Sequence, residues 1–395
     1  MAKQEIPAHA GELTAEWLTA SLRSGDVIAP TASVSSFEST TLGDGEGFIG
    51  DLARVTLSYD DAISDAPASL IAKFPTDVDA NRQMGEMFGL YEHEIRFYTE
   101  LASEVPVRKP AFYFSAMDAA PAPAGVVQAI LNLLPTGIVL KLLGPLGRAS
   151  GSRRFVVLIE DLAPGRVGDQ VAGLTVAEAE LALANLAKLH AHFWNDPRLE
   201  AIDWIAPLND HSRIQQGLFK QSRPEFLEEF KGILPDRAIE LANWLVDHGV
   251  ELLDHLSSRP YTVLHGDFRP DNLFFGDGKT DYPLAVIDWQ SLSRGSGPYD
   301  LAYFLGWSIN EEDHGAVDGL LEGYHAALVE NGVSDYSLDR CKRDHVLGQL
   351  MVLHRGIFLI GQLDLSHERG QALVQATLER TLGNLPMADL DHVFD

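Results

Sequence analysis

The sequence predicts an α+β protein in which a small β-rich lobe precedes a larger helical lobe. Short strand-like runs dominate before residue 163, and long amphipathic helical runs dominate after it. With 395 residues there is room for two or three domains, each with its own core. We therefore expect an N-lobe over 1–162 and a C-lobe over 163–395.

In the N-lobe, SVSSFESTT (33–41) alternates weakly. LARVTLSY (52–59) reads as a strand through Leu52, Val55, Leu57 and Tyr59, and SLIAKF (69–74) is a short strand carrying one lysine, Lys73. Phe88, Tyr91, Ile95, Tyr98 and Leu101 recur at three- and four-residue spacing, which predicts a helix over 83–103. A further strand, Phe155–Ile159, runs into Glu160-Asp161-Leu162. In the C-lobe, 175–194 is an amphipathic helix opened by Thr175 with Glu178 three residues on, a capping-box pattern. Helices are also expected over 236–257, 315–331, 339–364 and 366–383. Tyr261–Ala302 reads as loops and short strands and holds most of the chemistry-bearing side chains.

Composition narrows the function. Thirty Lys+Arg against 57 Asp+Glu give a formal charge of −27, which repels phosphate backbones and makes nucleic acid a poor partner. An apolar share of 46% excludes wholesale disorder. The one cysteine, Cys341, has no partner for an intramolecular disulfide. Together with an acidic N-terminal stretch unlike a signal peptide, this points to a cytoplasmic protein. Residues 119–147 form an apolar insert without a charge from Ala119 to Leu140, but Pro121, Pro123 and Pro135-Thr136-Gly137 interrupt it. No stable membrane span is expected there. The insert reads either as a packed hairpin or lid, or as a peripheral contact with a membrane or greasy substrate.

The chemistry gathers in two stretches. In Val263–Phe275 (VLHGDFRPDNLFF) an apolar pair enters a polar loop and an apolar strand leaves it, with Asp267 and Asn272 five residues apart. Ala285-Val286-Ile287-Asp288 is a second apolar strand ending in an acid. Asn272 and Asp288 together offer hard oxygen ligands suited to Mg²⁺, which takes few protein ligands and keeps room for water and phosphate oxygens. Asp267 is then left to accept a proton or orient a hydroxyl.

The spacing His-x-Asp-x4-Asn matches the catalytic loop of protein kinases, with Asp288-Trp289-Gln290 at the place of the metal-binding triplet. The chain resembles the aminoglycoside phosphotransferase and choline-kinase superfamily, which shares the bilobal protein-kinase-like fold, and within it the ecdysteroid-kinase-like group. The resemblance runs from about Thr41 to Asp300, through GEGFIGDLARV, LIAKF, EHEIRFYTEL, VVLIEDL, LAKLHAHFW, LHGDFRPDNLFF, and VIDWQ followed by GPYDLAYFL.

It implies an ATP- and Mg²⁺-dependent kinase that phosphorylates a hydroxyl of a small molecule. By resemblance Asp267 is the catalytic aspartate, Asn272 and Asp288 hold Mg²⁺, and Lys73 contacts the nucleotide phosphates and pairs with Glu94. The backbone of Glu160, Asp161 and Leu162 is the hinge that meets adenine, and Asp300 steadies the catalytic loop. Glu86 rivals Glu94 on the same predicted helix; the family pattern selects Glu94.

Gly266, where protein kinases keep an arginine, and Gln290, in place of the triplet's glycine, argue against a phosphorylation-switched protein kinase. So do the mere eleven residues between Asp288 and Asp300. The glycine cluster with Gly45 and Gly47 fits G-x-G-x-x-G, but strand-like residues follow it rather than a helix. It therefore reads as a strand–loop–strand cover for phosphates rather than a dinucleotide fold.

His190 and His192, at i and i+2, point roughly 200° apart around a helix and cannot share an ion; one faces the core. Trp204, Phe219, Trp307 and Phe358 fit core packing better than an acceptor pocket. The acceptor stays open at this stage. The insert and the group resemblance favour a hydrophobic or steroid-like alcohol, whereas the acidic balance would suit a cationic aminoglycoside or choline. A nucleotide-binding scaffold without transfer activity is the third reading.

Overall fold

The computed structural model describes residues 5–42, 50–60, 66–119, 137–139, 153–360 and 368–394. Gly45, Gly47 and nearly all of the 119–147 insert lie outside the described residues, as do 361–367 in the last two expected helices. The chain divides into two compact units. One comprises Met1–Glu104 and Lys109–Ala163; the other comprises Val105–Arg108 and Pro164–Asp395. The first is built on a sheet and the second on helices, so the α+β expectation is borne out.

In the first unit, β1 (Val34–Leu42), β2 (Gly50–Tyr59), β3 (Ser69–Pro75), β4 (Phe112–Met117) and β5 (Phe155–Glu160) form an antiparallel sheet in the order β1-β2-β3-β5-β4. Strand periodicity decides what each face carries. Leu70, Ala72 and Phe74 of β3 turn to one face and are buried, together with Val55 and Leu57 of β2 and Val156 and Leu158 of β5. Trp17, Leu18 and Leu22 of α1 (Ala15–Ser24) cover that face. Lys73, between Ala72 and Phe74, falls on the opposite face. β1 and β2 pair antiparallel on either side of 43–49, with Leu42 opposite Leu52, so a strand flanks the glycine cluster on each side.

The helix expected over 83–103 is broken. It comprises α2 (Asp79–Met87), α3 (Leu90–Arg96) and a π-turn over Phe97–Leu101. Gly89 causes the break: it sits in the left-handed region at φ 69°, outside the range that can continue a right-handed helix.

The second unit is helical, with α4 (Val176–His192), α5 (Ser212–Glu229), α6 (Asp236–Leu256), α7 (Gly297–Ser308), α8 (Val317–Glu330), α9 (Leu338–Ile360) and α10 (Glu368–Gly383). The capping box opens α4: Thr175 Oγ1 accepts from Glu178 N, and Glu178 accepts from Thr175 N. Leu241, Leu245, Leu252 and Leu253 of α6 pack with Leu350, Leu353 and Ile357 of α9 and with Tyr299 of α7 in the main core. Every residue of α7 is buried, which corrects the loop-and-strand reading of its first half. A helix apolar all round has no periodic stripe to betray it.

Two small sheets frame the loop region. β7 (Thr262–Leu264) pairs with β10 (Ser293–Gly295), and β8 (Leu273–Phe275) lies between β6 (Arg166–Val167) and β9 (Leu284–Val286).

Candidate active site

Of the residues singled out by sequence, Lys73, Glu94, Glu160, Asp161 and Leu162 belong to the sheet unit. Asp267, Asn272 and Asp288 belong to the helical unit.

In the sheet unit, Lys73 Nζ lies 2.5 Å from Glu94 Oε1, with the side chains 15% and 6% exposed. Such desolvation costs each charge dearly unless the pair is intact. Glu86, the rival, instead binds Arg82 at 3.4 Å. At the end of β5, the backbone N–H of Glu160 donates to Ala111 O, and its side chain accepts from Ala111 N. The Asp161 carboxylate accepts from Arg54 Nε at 2.7 Å, Arg54 Nη2 at 3.1 Å and Ser69 Oγ at 2.9 Å. Burial raises its pKa, but these donors and Ala163 N outweigh that, so the carboxyl is held below its ordinary value. Asp161 thus ties β2 and β3 to the end of β5. Leu162 is buried.

In the helical unit, two backbone N–H groups of the loop after β7 converge on one acid. Asp300, fully buried on α7, accepts from His265 N through Oδ2 at 2.7 Å and from Gly266 N through Oδ1 at 3.1 Å. His190 lies 3.4 Å from Asp300 Oδ2 on one side and 2.7 Å from the Tyr324 hydroxyl on the other. His190 is therefore the core-facing member of its pair, and His192 is exposed. His265 turns its ring to Ile287 O at 3.0 Å and is a loop organiser. Gly266 has φ 77°, and a Cβ there would stand 2.1 Å from Ser291 O, so no larger residue fits.

The loop then presents Asp267. Its Oδ1 accepts from the Tyr303 hydroxyl at 2.6 Å; its Oδ2 accepts from Asn272 Nδ2 at 3.0 Å and Arg269 Nε at 3.2 Å. Burial pushes the pKa up, but the Arg269 and Arg355 guanidiniums and the Tyr303 hydroxyl overcome it and hold the carboxyl below its usual range. Its side chain remains 17% exposed.

Asn272 is buried, and its amide nitrogen is committed to Asp267, donating to the backbone oxygen at 2.8 Å as well as to the carboxylate. Of the amide, only Oδ1 could therefore face a cation. Ile287 N donates to Asn272 O at 3.0 Å, which brings the residue before Asp288 onto the loop. Asp288 has φ 64° and ψ 64°, a left-handed conformation rare outside glycine, and accepts from Gln290 Nε2 at 3.2 Å. Among the described residues no group of three or more His, Cys, Asp and Glu could hold a metal ion.

Sequence reasoning did not single out Tyr303, Arg269 or Arg355. Arg355, on α9, donates to Gly266 O at 2.7 Å and Tyr299 Oη at 2.6 Å, and stands 5.3 Å from the Tyr303 ring centroid. Arg269 could have been suspected from its place inside the loop. Tyr303 and Arg355 carry no local signal. Trp307 packs on Tyr303 with ring centroids 4.2 Å apart, and Phe219 stacks on His354. Both act as packing residues, as expected.

A family model described as the ecdysteroid kinase-like family matches residues 44–333. The chain belongs to that family. No curated protein matches it. Among solved structures, the GDP complex of wild-type aminoglycoside 2'-phosphotransferase-IIIa is similar at 17% identity and a TM-score of 0.50, covering 93% of this chain and 97% of that one. An ethanolamine kinase from Plasmodium vivax aligns at 13% identity and a TM-score of 0.48, over 92% of this chain and 86% of that one. The choline kinase from Cryptosporidium parvum Iowa II aligns at 10% identity and 0.49, over 88% and 89%. The first of these is a likeness of fold. The ecdysteroid kinase-like chain is a small-molecule kinase, a phosphotransferase. Among the described residues no helix is long and apolar enough to cross a membrane.

Proposed function

We propose that this kinase moves the γ-phosphoryl group of ATP to a hydroxyl of a small, uncharged and largely hydrophobic alcohol, with Mg²⁺ as the resident ion. The observation that carries the proposal is the Asp267 carboxylate, held by donors on both oxygens while still partly exposed.

Asp267 accepts a hydrogen bond from the acceptor hydroxyl, aligns its oxygen with the phosphorus and takes up the proton as the bond forms. Asn272 Oδ1 and the Asp288 carboxylate would hold Mg²⁺; the donor set fits, since both are hard oxygens and the amide nitrogen of Asn272 is engaged elsewhere. The ion would offset charge on the phosphate oxygens. Lys73, kept in place by Glu94, would contact the α- and β-phosphates. The backbone at Glu160–Leu162 would meet adenine. Membership of the ecdysteroid kinase-like family supports an apolar acceptor over an aminoglycoside or choline.

The test is ATP consumption with and without Mg²⁺ across a library of sterols, other apolar alcohols, aminoglycosides and amino alcohols. Apolar alcohols should stimulate it, and Asp267→Asn should lower turnover roughly 10²–10⁴-fold with ATP affinity retained. Stimulation by cationic compounds alone would overturn the acceptor class. Tight ATP binding with no transfer to any acceptor would favour a scaffold.

A further inference from the structure

All of α7 is buried, and along it Leu301, Ala302, Phe304 and Leu305 present only carbon to their surroundings. Within the run 301–305 Tyr303 is the exception. It is 1% exposed, yet its hydroxyl reaches 2.6 Å to Asp267 Oδ1. A buried phenol needs a partner, and a backbone carbonyl would serve as well. Here the partner is Asp267, one of two carboxylates in the loop; the other, Asp271, accepts from Arg269 Nη1 and Gln170 N.

The ring itself is fixed from two sides. Trp307, one turn along the helix, packs at 4.2 Å between centroids, and the Arg355 guanidinium lies over it at 5.3 Å. Arg355 also binds Gly266 O, on the residue before Asp267. The hydroxyl is thus anchored to the same framework as the loop backbone.

A carboxylate rotates about its terminal torsion with little resistance. Donors on one oxygen already resist that rotation; a donor on the second oxygen narrows it further. Arg269 and Asn272 secure Oδ2, and Tyr303 secures Oδ1.

We propose that Tyr303 is a positioning residue for phosphoryl transfer, whose hydroxyl sets the orientation of the Asp267 carboxylate and hence the edge offered to the acceptor hydroxyl. This rests on the role of Asp267 proposed above. It assigns Tyr303 no contact with substrate and no proton of its own to transfer.

The experiment is a double-mutant cycle on the full chain with Tyr303→Phe and Asp267→Asn. Turnover is followed with the acceptor found in the library, or as Mg²⁺-dependent ATP hydrolysis if water is the only acceptor. Tyr303→Phe keeps the ring and its packing, so unfolding temperature and ATP affinity should stay close to wild type. Its kcat should fall about tenfold or more, with KM for ATP and acceptor within about twofold. In the Asp267→Asn background the same substitution should change kcat less than about twofold, because the group it orients is already gone.

Wild-type kcat in Tyr303→Phe, alongside a collapsed Asp267→Asn, overturns this inference alone. An equal loss in both backgrounds also overturns it, since Tyr303 would then act through packing. Wild-type turnover in Asp267→Asn, or no transfer by the native enzyme, instead sinks the reading of Asp267 and takes this inference with it.

Discussion

Lowering the pH from 7 to 5 should cost the helical unit about 4 kcal/mol through two buried histidines. His345 and His354 lie on α9 at 5% and 1% exposure, and burial pushes their pKa down from 6.5 to about 4. The folded protein therefore keeps both rings neutral, while the unfolded chain takes up a proton at each near the ordinary value. Below pH 6.5 the unfolded state binds more protons, so stability falls with acidification and levels off below about 4. With those values each ring contributes about 2 kcal/mol between pH 7 and 5.

Urea unfolding at the two pH values measures the loss, and substitution separates it from the carboxylates. His354→Phe preserves a flat ring against Phe219, which His354 stacks on at 4.4 Å. It does remove the 2.9 Å contact with Gln216 Oε1, so only the pH-dependent difference is compared. That difference should shrink by about 2 kcal/mol in His354→Phe and by the same amount in His345→Leu. If both variants lose as much stability on acidification as the native protein, neither ring is buried neutral and the reasoning fails.

Three further perturbations test the loop and the sheet. Gly266→Ala forces a Cβ against Ser291 O at a positive φ. It should destabilise the helical unit by about 2–4 kcal/mol in denaturant titration. Asp300→Asn sets an amide N–H₂ against one of two backbone donors. A loss of about 1–3 kcal/mol should appear as a thermal midpoint several degrees lower, with turnover reduced as the loop loosens. Lys73→Met removes the cation beside the buried Glu94 carboxylate and should destabilise the sheet unit by about 3 kcal/mol. Adding Glu94→Gln should restore much of that, while nucleotide affinity, measured by calorimetry, stays weak in both.

How legible the site was depended on how far apart its parts lie in sequence. Asp267 and Asn272 are five residues apart, and Asp288 ends the next strand but one, so spacing alone grouped them. Lys73 is visible because a strand period of two isolates it among apolar neighbours. Glu94 could not be chosen over Glu86 from periodicity, because Gly89 resets the helical phase between them. Tyr303 and Arg355 reach Asp267 and its loop from α7 and α9, through packing that no local pattern encodes. The first half of α7 was misread for a related reason. A segment buried on every side repeats no period, and glycines at both its ends look like loop. The π-turn at Phe97–Leu101 also escaped notice, since it keeps nearly the same apolar spacing as an ordinary helix.

The hanging of the 265–272 loop from Arg355 and from Asp300, which His190 and Tyr324 back, bears on how this enzyme could be re-engineered. Transplanting the eight-residue peptide into another scaffold would carry its letters without its shape, because four helices hold it from outside. Retargeting toward new alcohols is better attempted by leaving α4, α7, α8 and α9 intact and diversifying surface segments that touch none of them.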